Sequence, residues 1–179
     1  MVSGSLRSAS SSSAALLAAG ELVPVDVEPV LYGGLSSLPH YNPDCDSDPL
    51  DEAVAELRAE IHRAGAIVFS TPEYAGALPG SFKNLLDWTI GDDQPGSIYE
   101  KPVAWINVSP RGAGGAHEEL RKVLQYAHAD VVEEACLVVA VTPVMIDESG
   151  MLTDPLARAH IAGALSVLAQ RVRTQWQNL

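Results

Sequence analysis

The sequence predicts an α/β fold in which a central parallel sheet carries helices on both faces. Three observations lead there. First, the runs Ala66-Ile67-Val68-Phe69-Ser70, Pro102-Val103-Ala104-Trp105-Ile106-Asn107-Val108 and Cys136-Leu137-Val138-Val139-Ala140-Val141 are apolar, strand-length and bounded by turn formers, the pattern of strands buried on both faces. Second, other stretches space their apolar residues helically, as Leu50, Ala53, Val54, Leu57 and Ile61 do. Third, the two patterns alternate, and alternation specifies parallel strands joined by crossover helices.

In chain order, Gly4-Ser5-Leu6-Arg7 opens a loop that passes through a serine run into the helix-favouring Ala14-Ala15-Leu16-Leu17-Ala18-Ala19. Serines cap such helix starts well. Residues 23–31 contain Val-Asp-Val-Glu-Pro-Val, an alternation that predicts a half-exposed strand. Residues 33–48 form a long irregular connection of the kind found near sites and interfaces. A helix over 50–64, the strand 66–70, a loop and a helix over 81–88 follow. A polar loop at 91–100 precedes the strand 102–108. Residues 109–115 are glycine-rich, and a helix is expected over 116–126. The run 136–141 reads as a third buried strand. Asp154-Pro155 has the form of an N-cap with proline at the first helical position. The closing helix reaches about residue 177, with Leu156, Ile161, Leu165, Leu168 and Val172 as its apolar positions. Only Met1, Val2 and Ser3 precede Gly4, whereas a central strand uses about five residues. The first strand is therefore expected to be short or truncated.

Residues 1–179 suit one domain with a proper core. Hydrophobic residues at 47% and charged residues at 19% argue against disorder. A formal net charge of −12 repels nucleic acid, and no Lys/Arg cluster offsets it. No apolar run approaches the roughly 20 residues that span a bilayer, and the N-terminus lacks the layout of a secretory signal. The expectation is a cytoplasmic protein with no nucleic-acid or membrane partner. Cys45 and Cys136 are far apart, and His40, His62, His117, His128 and His160 show no metal-ligand spacing, so no metal is expected. There is no Gly-x-Ser-x-Gly elbow and no Walker lysine. Gly112 and Gly114 do not start a dinucleotide fingerprint, because position 117 is His. No nucleophile or acid–base pair stands out as catalytic.

The segment Thr71-Pro72-Glu73-Tyr74-Ala75-Gly76-Ala77-Leu78-Pro79-Gly80-Ser81-Phe82-Lys83-Asn84-Leu85-Leu86-Asp87-Trp88 resembles the flavin-ring loop of the NAD(P)H-dependent FMN reductases. That family's pattern is Pro-Glu-Tyr-Asn, then Pro-Gly, Lys-Asn and Asp-Trp. The resemblance implies a flavodoxin-like three-layer sandwich. It also implies cofactor contacts at Pro72, Glu73, Tyr74, Ala75 and Gly76, with Ala75 standing where the family has Asn. Lys83, Asn84, Asp87 and Trp88 would fix the helix and a subunit contact.

Two further loops extend the resemblance. Gly4-Ser5-Leu6-Arg7, followed by Ser10 and Ser12, is similar to the family's phosphate loop, with Ser12 at a position usually Asn. Hydroxyls, main-chain N–H groups and one cation at a helix N-terminus suit a phosphate monoester. Ser109-Pro110-Arg111-Gly112-Ala113-Gly114-Gly115 is similar to a loop on the far side of the ring, which implies contacts from Ser109, Arg111, Gly112 and Gly115. Arg111 replaces a usual glycine. It would stabilise negative charge at the N1–C2=O end of reduced flavin or bind a phosphate of NAD(P)H, and a solvated arginine is the equal alternative.

The resemblance thus implies FMN as cofactor and NAD(P)H as hydride donor. The acceptor would be a free flavin, a quinone, an azo dye or a metal oxyanion. It also implies a homodimer or homotetramer, with residues 38–44 reaching toward the partner. Two alternatives stay open: a flavodoxin-like electron carrier, and a cofactor-free relative acting as a binding protein.

Overall fold

The computed structural model describes residues 1–90, 94 and 96–177. Of the polar loop expected at 91–100, residues 91–93 and 95 lie outside them. The described strands form one parallel sheet in which β1 (Val2–Ser3), β2 (Ile67–Ser70), β3 (Pro102–Asn107) and β4 (Asp130–Val131) are neighbours in that order, while β5 (Leu137–Val138) also pairs with β3. A single parallel bridge between Val2 and Tyr32 adds a vestigial strand outside β1. This is the flavodoxin-like order, with the β1–β2 neighbourhood as its switch point.

Helices α1 (Ser11–Leu22) and α5 (Pro155–Gln177) cover one face, and α2 (Glu52–Arg63), α3 (Gly80–Asp87) and α4 (Gly114–Tyr126) cover the other. The strands divide their side chains accordingly. Phe69, Val103 and Trp105 pack with Leu57, Phe82 and Leu120, while Val68, Ala104 and Ile106 pack with Leu16, Ile161 and Leu165. Both faces of β2 and β3 are buried along their whole length, which is why these strands read as continuous apolar runs. Ser10 caps α1, and the Asp51 carboxylate caps α2. Asp154 caps α5 by accepting the Ala157 amide at 2.8 Å, with Pro155 as the first helical residue.

Two expected strands are corrected. Residues 23–31 are not a strand. Pro24 and Pro29 remove ladder donors, and the short β1 region is tied to this stretch by the Tyr32 amide donating to the Met1 carbonyl at 2.9 Å and the Met1 ammonium donating to the Val30 carbonyl at 2.7 Å. Residues 136–141 are not a fully buried strand either. They form the second half of a broken edge strand, separated from β4 by a helical turn at Glu133–Ala135, and Val138 is 68% exposed. The first strand is short, as expected, and its two residues bring Gly4 to the carboxyl edge of the sheet. No helix among the described residues is long and apolar enough to cross a membrane.

Candidate functional site

The loops that follow β1, β2 and β3 emerge side by side at the carboxyl edge and touch one another. The Gly4 amide donates to the Ser70 carbonyl at 2.8 Å. A Cβ on Gly4 would lie 2.4 Å from Thr71 Oγ1 and 2.9 Å from Phe82, so only glycine lets the first loop lie against the second. The second and third loops meet in the same way. A Cβ on Gly115 would stand 2.1 Å from the Gly76 carbonyl oxygen. Residues 4–12, 71–80 and 109–115 therefore form one continuous rim, and every expected cofactor-binding residue stands on it.

The middle loop is a tight turn. Tyr74 and Ala77 exchange main-chain hydrogen bonds of 3.0 and 3.1 Å, while Ala75 (φ 53°) and Gly76 (φ 78°) occupy the left-handed region. Asn is favoured over Ala at the first of two such positions, which explains the usual Asn where this chain has Ala75. Tyr74 is 47% exposed at the tip.

Helix α4 anchors this turn from two directions. The Glu73 carboxylate accepts the Ala116 amide at 3.0 Å, and the Glu119 carboxylate accepts the Leu78 amide at 2.7 Å. Asn84 on α3 and Trp88, which caps its end, hold the 38–41 stretch. Both side chains donate to the Pro39 carbonyl at 2.9 Å, and Asn84 Oδ1 accepts the Tyr41 amide at 2.7 Å. Lys83 and Asp87 pair with each other along α3.

The third loop is held from beneath by two side chains that sequence reasoning did not single out for the site. Buried Asn107 donates to the Gly112 carbonyl at 2.6 Å and accepts the Ser109 amide at 3.0 Å. His117 Nδ1–H donates to the Ala113 carbonyl at 2.9 Å. Gly112 (φ 90°) and Ala113 (φ 47°) are both left-handed, a strain for Ala113 but not for glycine, and these two bonds hold the pair in place. A polar residue ending a buried apolar strand was the available sign for Asn107; Glu119 gave none. Burial lowers the His117 pKa, against weaker upward pulls from the Ala113 carbonyl and the Glu73 charge. Nε2 is buried without a partner among the described residues, as expected of a neutral ring protonated on Nδ1.

The rim is rich in unused donors. The Ser11 and Ser12 amides at the head of α1, and those of Gly114 and Gly115 at the head of α4, have no protein acceptor among the described residues. Ser12 itself is buried in the first turn. Positions where a Cβ would meet nothing within 4 Å include Gly76, Gly112 and Gly114, so the main chain there is open to close approach. Seven of the basic side chains pair with acidic ones. Arg7 and Arg111, both on the rim, are among the few left without a carboxylate among the described residues. Free amides, hydroxyls and unpaired guanidinium groups around open backbone fit a flat ligand with an anionic tail, as FMN is. The described residues contain no group of acidic, His and Cys side chains able to hold a metal ion.

Comparison with known proteins agrees with this chemistry. Residues 1–143 match the family described as NADPH-dependent FMN reductase. An NAD(P)H-dependent FMN reductase of Pseudomonas aeruginosa is 34% identical over 175 residues, covering 96% of this chain and 93% of that protein. A quinone reductase of Escherichia coli K12 is 29% identical over 176 residues, covering 95% and 92%. Among solved structures, the flavoenzyme NAD(P)H:(acceptor) oxidoreductase FerB of Paracoccus denitrificans superposes with a TM-score of 0.83 at 26% identity, over 97% of this chain and 95% of its own. A chain with this fold, with the family's pattern over residues 1–143 and with such relatives along nearly its whole length belongs to the NADPH-dependent FMN reductase family.

Proposed function

We propose that the rim holds FMN edge-on and that the protein uses it to pass electrons from NAD(P)H to a small acceptor, a quinone or a free flavin. The observation that carries this reading is the placement of unpaired Arg7 and Arg111 beside donor-rich helix starts in a chain of net charge −12. A background field of that sign disfavours an anionic ligand unless local donors overcome it.

Residue roles follow from position. Arg7 and the hydroxyls of Ser5 and Ser10, with the amides around Ser12, would hold the phosphate. Pro72, Tyr74, Ala75 and Gly76 would wall one side of the ring, and Ser109, Arg111, Gly112 and Gly115 the other. Glu73 keeps the two walls at a fixed separation through α4. Bound FMN supplies hydride acceptance at N5 and electron delivery to the second substrate, so the protein's share is orientation and electrostatics, with no catalytic side chain required. We assign to the exposed Tyr74 and to the 38–44 stretch a homodimer contact, paired further into a tetramer. The cytoplasm, where reduced nicotinamide is regenerated, is the compartment this activity requires.

An absorption spectrum of the purified protein loaded with FMN, followed by NADPH and NADH oxidation with a benzoquinone acceptor, tests the reading. Bound flavin with turnover supports it. Bound flavin with no oxidation above background favours an electron carrier. Failure to retain FMN favours a cofactor-free relative. Light scattering reads the oligomeric state.

A further inference from the structure

Beyond β1, on the side away from the flavin-ring loops, lies a cavity of about 350 Å³ between residues 5–7, the flank of α1 and residues 31–36. Its apolar lining consists of buried Leu35 with Leu6 and Leu31, which are 58% and 44% exposed. Its polar lining includes Arg7 with Ser3, Ser5, Ser13 and Ser36. No acidic residue lines the cavity, in a chain that carries 23 of them. Of the groups assigned above to the FMN phosphate, Ser5 and Arg7 border this cavity too, whereas the amide-rich stretch 8–12 does not. Apolar side chains sharing one cavity with an unpaired guanidinium and hydroxyls suit a flat heterocycle on a phosphorylated sugar.

We propose that this cavity is the subsite for the 2′-phosphoadenosine end of NADPH and that it makes the protein prefer NADPH to NADH. The inference rests on reading residues 71–76 and 109–115 as the ring site. Those loops follow β2 and β3, and the cavity lies just past β1. The separation along the sheet is two strand spacings, roughly 10 Å, within reach of an extended dinucleotide whose nicotinamide stacks at the ring. Leu6 and Leu31 flank the adenine, and Ser36 with one edge of Arg7 receives the 2′-phosphate. The several N–H donors of a guanidinium allow its other edge to face the FMN phosphate.

Calorimetric titration of FMN-loaded protein with adenosine 2′-monophosphate and with adenosine tests the subsite directly. The phosphate ester is expected to bind at least tenfold tighter. Ser36→Asp, at an exposed position, sets a carboxylate in the lining, and Leu31→Asp sets one at a second point of it. Each should cut the advantage of the phosphate ester below threefold. Each should also lower the ratio of kcat/KM for NADPH to that for NADH at least fivefold. The proposal is overturned if the ester binds no tighter than adenosine, or if the two substitutions leave that ratio unmoved. It is also overturned if FMN loading abolishes binding of the ester, since the cavity would then be the flavin phosphate's own seat. A protein that retains no FMN and oxidises no nicotinamide defeats the ring-site reading, while titration of the flavin-free chain still decides whether the cavity takes a 2′-phosphate.

Discussion

The Glu73 carboxylate accepts the Ala116 amide at 3.0 Å, so the loop after β2 caps the helix after β3. A negative group at that point also meets the positive end of the α4 dipole. Glu73→Ala should cost about 1–2 kcal/mol, the scale of a lost helix cap. Glu73→Gln keeps an acceptor and should cost about 0.3–1 kcal/mol, the electrostatic part. Urea unfolding measures both. Equal costs for the two variants would show that charge, not the hydrogen bond, is what Glu73 contributes.

Ala75 sits at φ 53° with Gly76 behind it. A left-handed conformation costs an ordinary L-residue roughly 1–2 kcal/mol, and Asn tolerates it better. Ala75→Asn should therefore stabilise the protein by about 0.5–1 kcal/mol. The denaturation midpoint should rise with no change in the dependence on urea. A lower midpoint would mean that the turn relaxes elsewhere in solution.

His117 makes stability depend on pH in the mildly acidic range. Burial lowers its pKa in the folded chain, while the unfolded chain titrates near the ordinary value of about 6.5. Below that value the unfolded state binds more protons, so stability falls as pH falls from about 6.5 toward the lowered folded value. The nearby Glu73 charge opposes this shift without reversing it. His117→Gln, which can still donate toward the Ala113 carbonyl, should flatten the thermal-midpoint profile between pH 7 and pH 5.5. An unchanged slope in that variant would assign the effect to other groups.

What could be read beforehand follows the range of the interactions. Ile67–Ser70 and Pro102–Asn107 announced themselves because burial on both faces writes a continuous apolar run into the sequence. Residues 23–31 misled because alternation reports side-chain exposure, whereas a strand also needs a partner ladder, and β1 offers two residues. Residues 136–141 misled because an apolar edge strand looks like an interior one until its neighbours are known. The three rim loops were legible through local motifs. Their fasteners were not: Leu78–Glu119 spans 41 residues and Glu73–Ala116 spans 43, and no local pattern encodes such pairs. The same limit hid the need for glycine at position 4, which is set by Thr71.

Arg7 and Arg111 stand on the rim without a carboxylate partner, and their separate roles make the last prediction. Arg7 lies at the head of α1, among the free amides assigned to the phosphate. A hydrogen bond to a charged group is worth about 1.5–3 kcal/mol, so Arg7→Ala should weaken FMN binding by about 10- to 150-fold. Arg111 follows Ser109, whose hydroxyl accepts the Arg111 amide at 3.2 Å, and it belongs to the ring side of the rim. Arg111→Ala should leave FMN affinity within about threefold, and should either raise KM for NAD(P)H or lower the flavin reduction potential. Flavin affinity follows from fluorescence quenching, and the potential from titration against a reference dye. If Arg7→Ala binds FMN as tightly as the unaltered chain, the amides alone hold the phosphate. If Arg111→Ala shifts neither KM nor the potential, that guanidinium is only solvated.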